Sequence, residues 1–90
     1  MRKARINPFT VNDPELDLHG ETTFATTVLV RDFIYDNVKL RNKEVIIVHG
    51  KGTGVLKKHV QELLKHNKNV VKYYIDGTND GATIVELKYW

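Results

Sequence analysis

The chain has 90 residues, of which 41% are hydrophobic and 28% charged, which is typical of one folded domain and too apolar for intrinsic disorder. Cysteine is absent, so a disulfide framework and a thiolate zinc site are excluded, and no segment approaches the ~20 continuous apolar residues of a membrane span. The formal charge of +3 is compatible with a polyanionic partner, and the composition agrees with a cytoplasmic location.

Residues 1–14 are interpreted as an N-terminal extension that precedes a domain at 15–90. The extension carries Arg2, Lys3 and Arg5 together with two prolines, and it shows neither a helical nor a strand period. We interpret it as a partly ordered arm. The alternative is a cationic tail that contacts phosphates.

The first strand is predicted at residues 15–19, where polar and apolar side chains alternate. This alternation places Asp17 and His19 on one face of the strand, and Gly20 ends it.

A helix is predicted from Thr22 to about Leu40, because no glycine or proline interrupts this stretch. A second apolar stripe on the helix, formed by Phe24, Val28 and Tyr35, is either covered by the N-terminal arm or forms a homodimer or partner interface. The side that we expect to cover the sheet consists of Thr26, Leu29, Val30, Phe33, Ile34, Asn37 and Leu40.

Residues 45–48 form a continuous β-branched run, which predicts a buried central strand. The loop after it has the sequence His49, Gly50, Lys51, Gly52, Thr53 and Gly54. Thr53 is the predicted N-cap of a second, amphipathic helix, which Asn67 is expected to stop. The apolar stripe of that helix consists of Leu56, Val60, Leu63 and Leu64.

Two further strands are predicted at 70–75 and 82–89, joined by a hairpin loop at 76–81. The element order β-α-β-α-β-β indicates an α+β two-layer sandwich, with a mixed four-stranded sheet and two helices on one face. If the first two strands are parallel, both His-Gly segments lie at the same sheet edge, where open α/β sheets bind ligands.

The loop after His49 is a candidate phosphate site. Its glycines allow backbone N–H groups to face a ligand, the next helix contributes the positive end of its dipole, and Lys51 adds a full charge. The spacing differs from that of a nucleotide P-loop. The alternative is that the glycines merely form a tight turn.

Asp17, His19 and His49 support two kinds of chemistry. In the favoured one, the two histidines act as general base and acid in phosphodiester cleavage, with an RNA 2′-hydroxyl as the attacking group and no cofactor. In the other, Asp17 and a histidine hold a divalent metal that activates water.

The runs 16–20 and 48–54 together resemble the small MutS-related domain, called Smr, and 81–87 is similar to the final strand of that family. The resemblance covers about 14–88. It implies a β-α-β-α-β-β domain that acts on nucleic acid as a DNA-nicking or RNA-cleaving endonuclease, in several cases on RNA of stalled ribosomes. The family motifs carry over onto Asp17, His19, His49, Gly50, Lys51 and Gly52.

The chain departs from the family pattern at 78–80, where Thr-Asn-Asp replaces glycines, and Asp80 adds negative charge near the expected polyanion path. Three hypotheses follow. The leading one is an endonuclease, with RNA ahead of DNA. The others are a non-catalytic RNA- or DNA-binding or ribosome-associated module, and an interaction protein that dimerises through the stripe on the first helix.

Overall fold

Six regular elements follow one another in the computed structural model, which describes Thr10 and residues 12–88. Their order is the predicted one, and the α+β fold is confirmed. Neither helix is long and apolar enough to cross a membrane. The elements are β1 (Glu15–Asp17), α1 (Thr23–Lys39), β2 (Glu44–Val48), α2 (Val55–Lys65), β3 (Val70–Asp76) and β4 (Asn79–Leu87).

The sheet has the strand order β1-β2-β4-β3. Strands β1 and β2 are parallel, as expected, with Asp17 opposite Val48. Strand β4 is antiparallel to β2 and β3, and its residue Ala82 is also opposite Val48. The carboxyl ends of β1 and β2 and the beginning of β4 therefore meet at one edge of the sheet.

The main core lies between the sheet and the two helices, which occupy one layer. Val45 and Ile47 of β2 face this layer, and burying each such side chain contributes about 1.5–3 kcal/mol. A smaller cluster on the other sheet face consists of Ile46, Ala82 and Ile84. The main cluster also contains Leu18, Val30, Ile34, Val60, Leu64, Val85 and Leu87.

Helix α1 begins where expected, because the Thr22 hydroxyl accepts the N–H of Ala25 at 3.1 Å and caps the helix. The prediction that Leu29 and Leu40 cover the sheet was wrong, since they are 37% and 71% exposed. Leu40 is the C-cap and therefore lies beyond the last helical turn. The buried positions of α1 are Thr26, Val30, Ile34 and Asn37.

The second stripe of α1 is largely open. Phe24 is 82% and Tyr35 63% exposed, and Val28 is half-buried. The predicted covering of this stripe by the N-terminal arm involves residues 1–9, which lie outside the described part of the chain. The segment directly before β1 lies at the sheet, where the Pro14 carbonyl accepts the N–H of Ile46.

The hairpin between β3 and β4 is tighter than predicted. Strand β4 begins at Asn79 rather than at residue 82. The Asp76 carboxylate accepts hydrogen bonds from the backbone N–H and the hydroxyl of Thr78, at 2.9 and 2.8 Å, and so closes the turn. The polar residues Asn79 and Asp80 consequently belong to the strand. Residue 89, the predicted end of this strand, lies outside the described range.

Candidate functional site

An open cleft of about 360 Å³ lies at the sheet edge where β1 and β2 end. Its walls are residues 19–21 and 23 from the first His-Gly segment and the start of α1, and residues 49–57 from the second segment and the start of α2. The fold thus brings the two His-Gly segments together, and it aims the beginnings of both helices at the same space.

Asp17 and His19 contact each other through the backbone. The Asp17 carboxylate accepts the backbone N–H of His19 at 2.9 Å and so shapes the turn at the end of β1. The His19 side chain is exposed in the cleft wall. A β-carbon built on Gly50 would lie 3.8 Å from Cδ2 of the His19 ring, so this ring lies beside the second His-Gly segment.

His49 is buried, with only 4% of its surface exposed. Its Nδ1 lies 3.0 Å from the Gly50 carbonyl and its Nε2 lies 2.8 Å from the Thr83 hydroxyl. A carbonyl only accepts, so Nδ1 carries the proton, and the Thr83 hydroxyl donates to Nε2. Burial lowers the pKa of His49, the Gly50 carbonyl opposes this, and Lys57 lowers the pKa further. The ring is therefore neutral at pH 7, with both nitrogens engaged.

Strand β4 clamps the second His-Gly segment through two residues that sequence reasoning missed. The Gly81 carbonyl accepts the N–H groups of both His49 and Gly50, at 2.9 Å each, and Thr83 holds the His49 ring. A β-carbon on Gly81 would lie 3.2 Å from the Gly50 carbonyl carbon, so a side chain at this position would push the loop away. The run 81–87, noted above for its family resemblance, contains both residues, but their contacts with the loop depend on the register of β4.

The N-cap of α2 differs from the prediction. Gly54, at φ 86°, occupies this position instead of Thr53. The Thr53 hydroxyl lies 3.4 Å from the Val55 nitrogen, which is a long contact. The N-cap residue here has a left-handed backbone conformation, which glycine adopts freely and threonine only at a cost. The cap therefore lies at Gly54, one residue later than predicted.

Several backbone N–H groups of the residues that line the cleft have no hydrogen-bond acceptor within the described part of the chain. Among residues 10 and 12–88, no acceptor binds the N–H groups of residues 51–54 or of Leu56 and Lys57. The N–H of Gly50 is an exception, because it donates to Gly81. Unpaired N–H groups at the start of a helix, together with the helix dipole, favour a bound anion.

The charged residues of the cleft are Lys51, Lys57 and Glu21. Lys57, in the first turn of α2, lines the cleft. Lys51 is paired with Asp80 at 3.4 Å. Within the described part of the chain, no three His, Asp or Glu side chains converge as a metal-ligand set.

Comparison with protein families matches residues 16–88 to the Smr domain. The chain is 43% identical over 77 residues to endonuclease MutS2 of Geobacillus sp. (strain WCH70), an alignment that covers 82% of this chain and 10% of that protein. It is 39% identical over 83 residues to endonuclease MutS2 of Clostridium botulinum (strain Eklund 17B / Type B), covering 89% of this chain and 11% of that protein. The chain thus spans about a tenth of the length of these curated relatives.

Two crystal structures share the fold. The Smr domain of Thermus thermophilus MutS2 superimposes with a TM-score of 0.81 at 28% identity, covering 83% of this chain and 98% of that one. YdaL, a stand-alone small MutS-related protein from Escherichia coli, superimposes with a TM-score of 0.80, covering 86% of this chain and 66% of that one. Its identity of 22% supports the likeness of fold alone.

Proposed function

Because this chain belongs to the Smr domain family, we propose that it is a nucleic-acid-binding endonuclease domain that holds a phosphodiester in the cleft between its two His-Gly segments. The curated relatives are named endonucleases. One observation carries the proposal. The unpaired N–H groups of residues 51–54, the ammonium groups of Lys51 and Lys57 and the start of α2 provide anion-binding groups beside the exposed ring of His19.

The two histidines have different roles in this proposal. His19 is exposed, so its ring can exchange a proton with a substrate. His49 is neutral and hydrogen-bonded at both nitrogens, so it positions the loop rather than transferring protons. The sequence-based hypothesis of an acid–base pair formed by His19 and His49 requires that the Thr83 contact first be broken. Asp17 positions His19 through the backbone.

RNA is the favoured substrate, because it carries its own nucleophile, the 2′-hydroxyl. Its cleavage therefore needs only one exposed general base from the protein, and His19 can supply it. His19 would take the proton of a 2′-hydroxyl, whose oxygen attacks the neighbouring phosphorus. The bond from phosphorus to the 5′-oxygen breaks, and that oxygen takes a proton from solvent. Lys51, Lys57 and the loop N–H groups stabilise the negative charge that develops on the phosphoryl oxygens. The family resemblance suggests ribosome-associated RNA as one source.

The test compares the wild-type protein with His19→Ala on end-labelled single-stranded RNA and on DNA of the same sequence. His66→Ala is the matched control, since the His66 side chain is 73% exposed at the far end of α2. We expect His19→Ala to lower the cleavage rate by about 10²–10⁴-fold with binding retained, and His66→Ala to cleave normally. Wild-type rates in His19→Ala would contradict the role of His19. Reactions with magnesium and with a chelator show whether a metal takes part.

A non-catalytic RNA- or DNA-binding module is the second candidate. The burial of His49 favours it, because only one histidine of the cleft is left with an exposed ring. In that case the wild-type protein binds the same oligonucleotides and leaves them intact under every condition, and Lys51→Met weakens binding.

The stripe on α1 supports a separate proposal of self-association, because Phe24 and Tyr35 are large and exposed. Sedimentation of Phe24→Asp against the wild-type protein tests it. Val71→Asp, at a residue that is 54% exposed on β3, is the control. We expect a lower mass for Phe24→Asp alone, and an unchanged mass would remove the interface.

A further inference from the structure

The side chain of Lys51 runs along β4. A β-carbon built on Gly81 would lie 3.2 Å from Cγ of Lys51, so the aliphatic stem of this lysine passes directly over the glycine. The ammonium group then lies 3.4 Å from the carboxylate of Asp80. The absence of a side chain at residue 81 thus allows Lys51 to reach the acid next to it.

The backbone on either side of Asp80 is constrained by the hairpin. The Asn79 side chain accepts the N–H of Gly81 at 3.0 Å, and Asn79 pairs with Asp76 across the hairpin. The side chains of Asp80 and Lys51 are nevertheless each 73% exposed, so the ion pair lies in solvent at the mouth of the cleft. An exposed pair of this kind contributes little to folding, and a competing anion can displace it.

The pair removes much of the positive charge of the cleft. Among the described residues, Lys51 and Lys57 are the lysines that line it, and Glu21 already offsets one charge. A phosphate that binds Lys51 competes with the Asp80 carboxylate for the ammonium group and lies close to that carboxylate. At such distances like charges repel measurably even in water.

We infer that Asp80 is an autoinhibitory residue, which lowers the affinity of the cleft for nucleic-acid phosphate by occupying Lys51. This inference rests on the proposed function. In a nucleic-acid strand, neighbouring phosphates also reach Lys57 and the loop N–H groups, and these additional contacts offset the cost of displacing Asp80. An isolated phosphate makes no such additional contacts. The ion pair therefore favours polynucleotides over small phosphorylated molecules.

The test measures the binding of fluorescent oligouridine and oligothymidine to the full chain. We expect Asp80→Asn to tighten binding by about two- to fivefold, which is the range over which an exposed ion pair shifts an equilibrium. The slope of log Kd against log salt should steepen by up to about 0.7, the value for one additional phosphate on a single strand. Asp32→Asn is the control, because it changes the net charge equally in an exposed pair with Arg31 on α1, outside the cleft lining. It should bind like the wild-type protein.

The double variant Lys51→Met with Asp80→Asn tests whether Asp80 acts through the lysine. We expect the gain from Asp80→Asn to disappear in the Lys51→Met background, and a gain that persists there overturns the inference. If Lys51→Met weakens binding but Asp80→Asn matches Asp32→Asn, the inference fails and the proposed phosphate site stands. Oligonucleotide binding that Lys51→Met does not weaken contradicts the phosphate site, and the inference with it.

Discussion

Replacing Thr83 by valine removes one hydroxyl from the centre of the site and keeps the shape of the side chain. Thr83 is fully buried, and its hydroxyl donates to Nε2 of His49, which is itself only 4% exposed. Leaving a buried acceptor without a donor costs about 1–3 kcal/mol. Valine is close to threonine in size, so no cavity cost is added. Each kcal/mol lowers Tm by roughly 4–8 °C in a domain of this size.

Thermal unfolding followed by circular dichroism measures this loss, and NMR titration of the His49 ring provides a second, independent readout. Thr83→Val leaves Nε2 of the buried ring without a hydrogen-bond partner, so we expect the pKa of His49 to differ from that in the wild-type protein. Thr83→Ser keeps the hydroxyl and should leave that pKa unchanged, although it loses a methyl group. A Thr83→Val protein with wild-type stability and an unshifted His49 pKa would refute the positioning role of Thr83.

Three further predictions concern the stability of the fold that supports the site. Gly50 has φ 82°, a left-handed conformation that strains alanine, so Gly50→Ala should lower the free energy of unfolding by about 1 kcal/mol. An unchanged midpoint of urea unfolding would argue against the left-handed conformation of Gly50. Thr22→Ala removes the cap of α1 and should lower the free energy of unfolding by about 1 kcal/mol, with Thr22→Ser as the control that retains it. The pKa of Glu44 is raised from 4.5 to about 7, chiefly by a hydrogen bond with Asp13, so the folded state favours the protonated carboxyl. The resulting contribution to the free energy of unfolding is fully present below pH 4.5 and is lost as the pH rises through about 7. Urea unfolding across that range should show a loss on the order of 1 kcal/mol that Glu44→Gln abolishes, and an equal loss in Glu44→Gln would contradict the assignment.

The architecture could be read from the sequence because its signals are local. The β-branched run at 45–48 marked the central strand, and the stripe of α2 marked its buried face. Two strand ends with the same His-Gly pair, separated by a helix, indicated parallel strands with a shared edge. The register of Asp17 opposite Val48 confirms that arrangement.

The state of His49 was not accessible from the sequence, because it depends on a partner 34 residues away. Thr83 reaches the ring only in the register in which β4 pairs with β2, and that strand begins three residues earlier than its alternation suggested. The turn held by Asp76 extends β4 to include Asn79 and Asp80, which the sequence placed in a loop. Long-range pairing thus determined which histidine is exposed.

The most direct test of the account is a titration of isotopically labelled protein with oligouridine, followed through the backbone amide signals. We predict the largest shifts at residues 51–54 and at Leu56 and Lys57, whose N–H groups have no acceptor within the described part of the chain. Shifts confined to the exposed stripe around Phe24 and Tyr35, with residues 51–57 unchanged, would contradict the claim that the His-Gly cleft holds the phosphate.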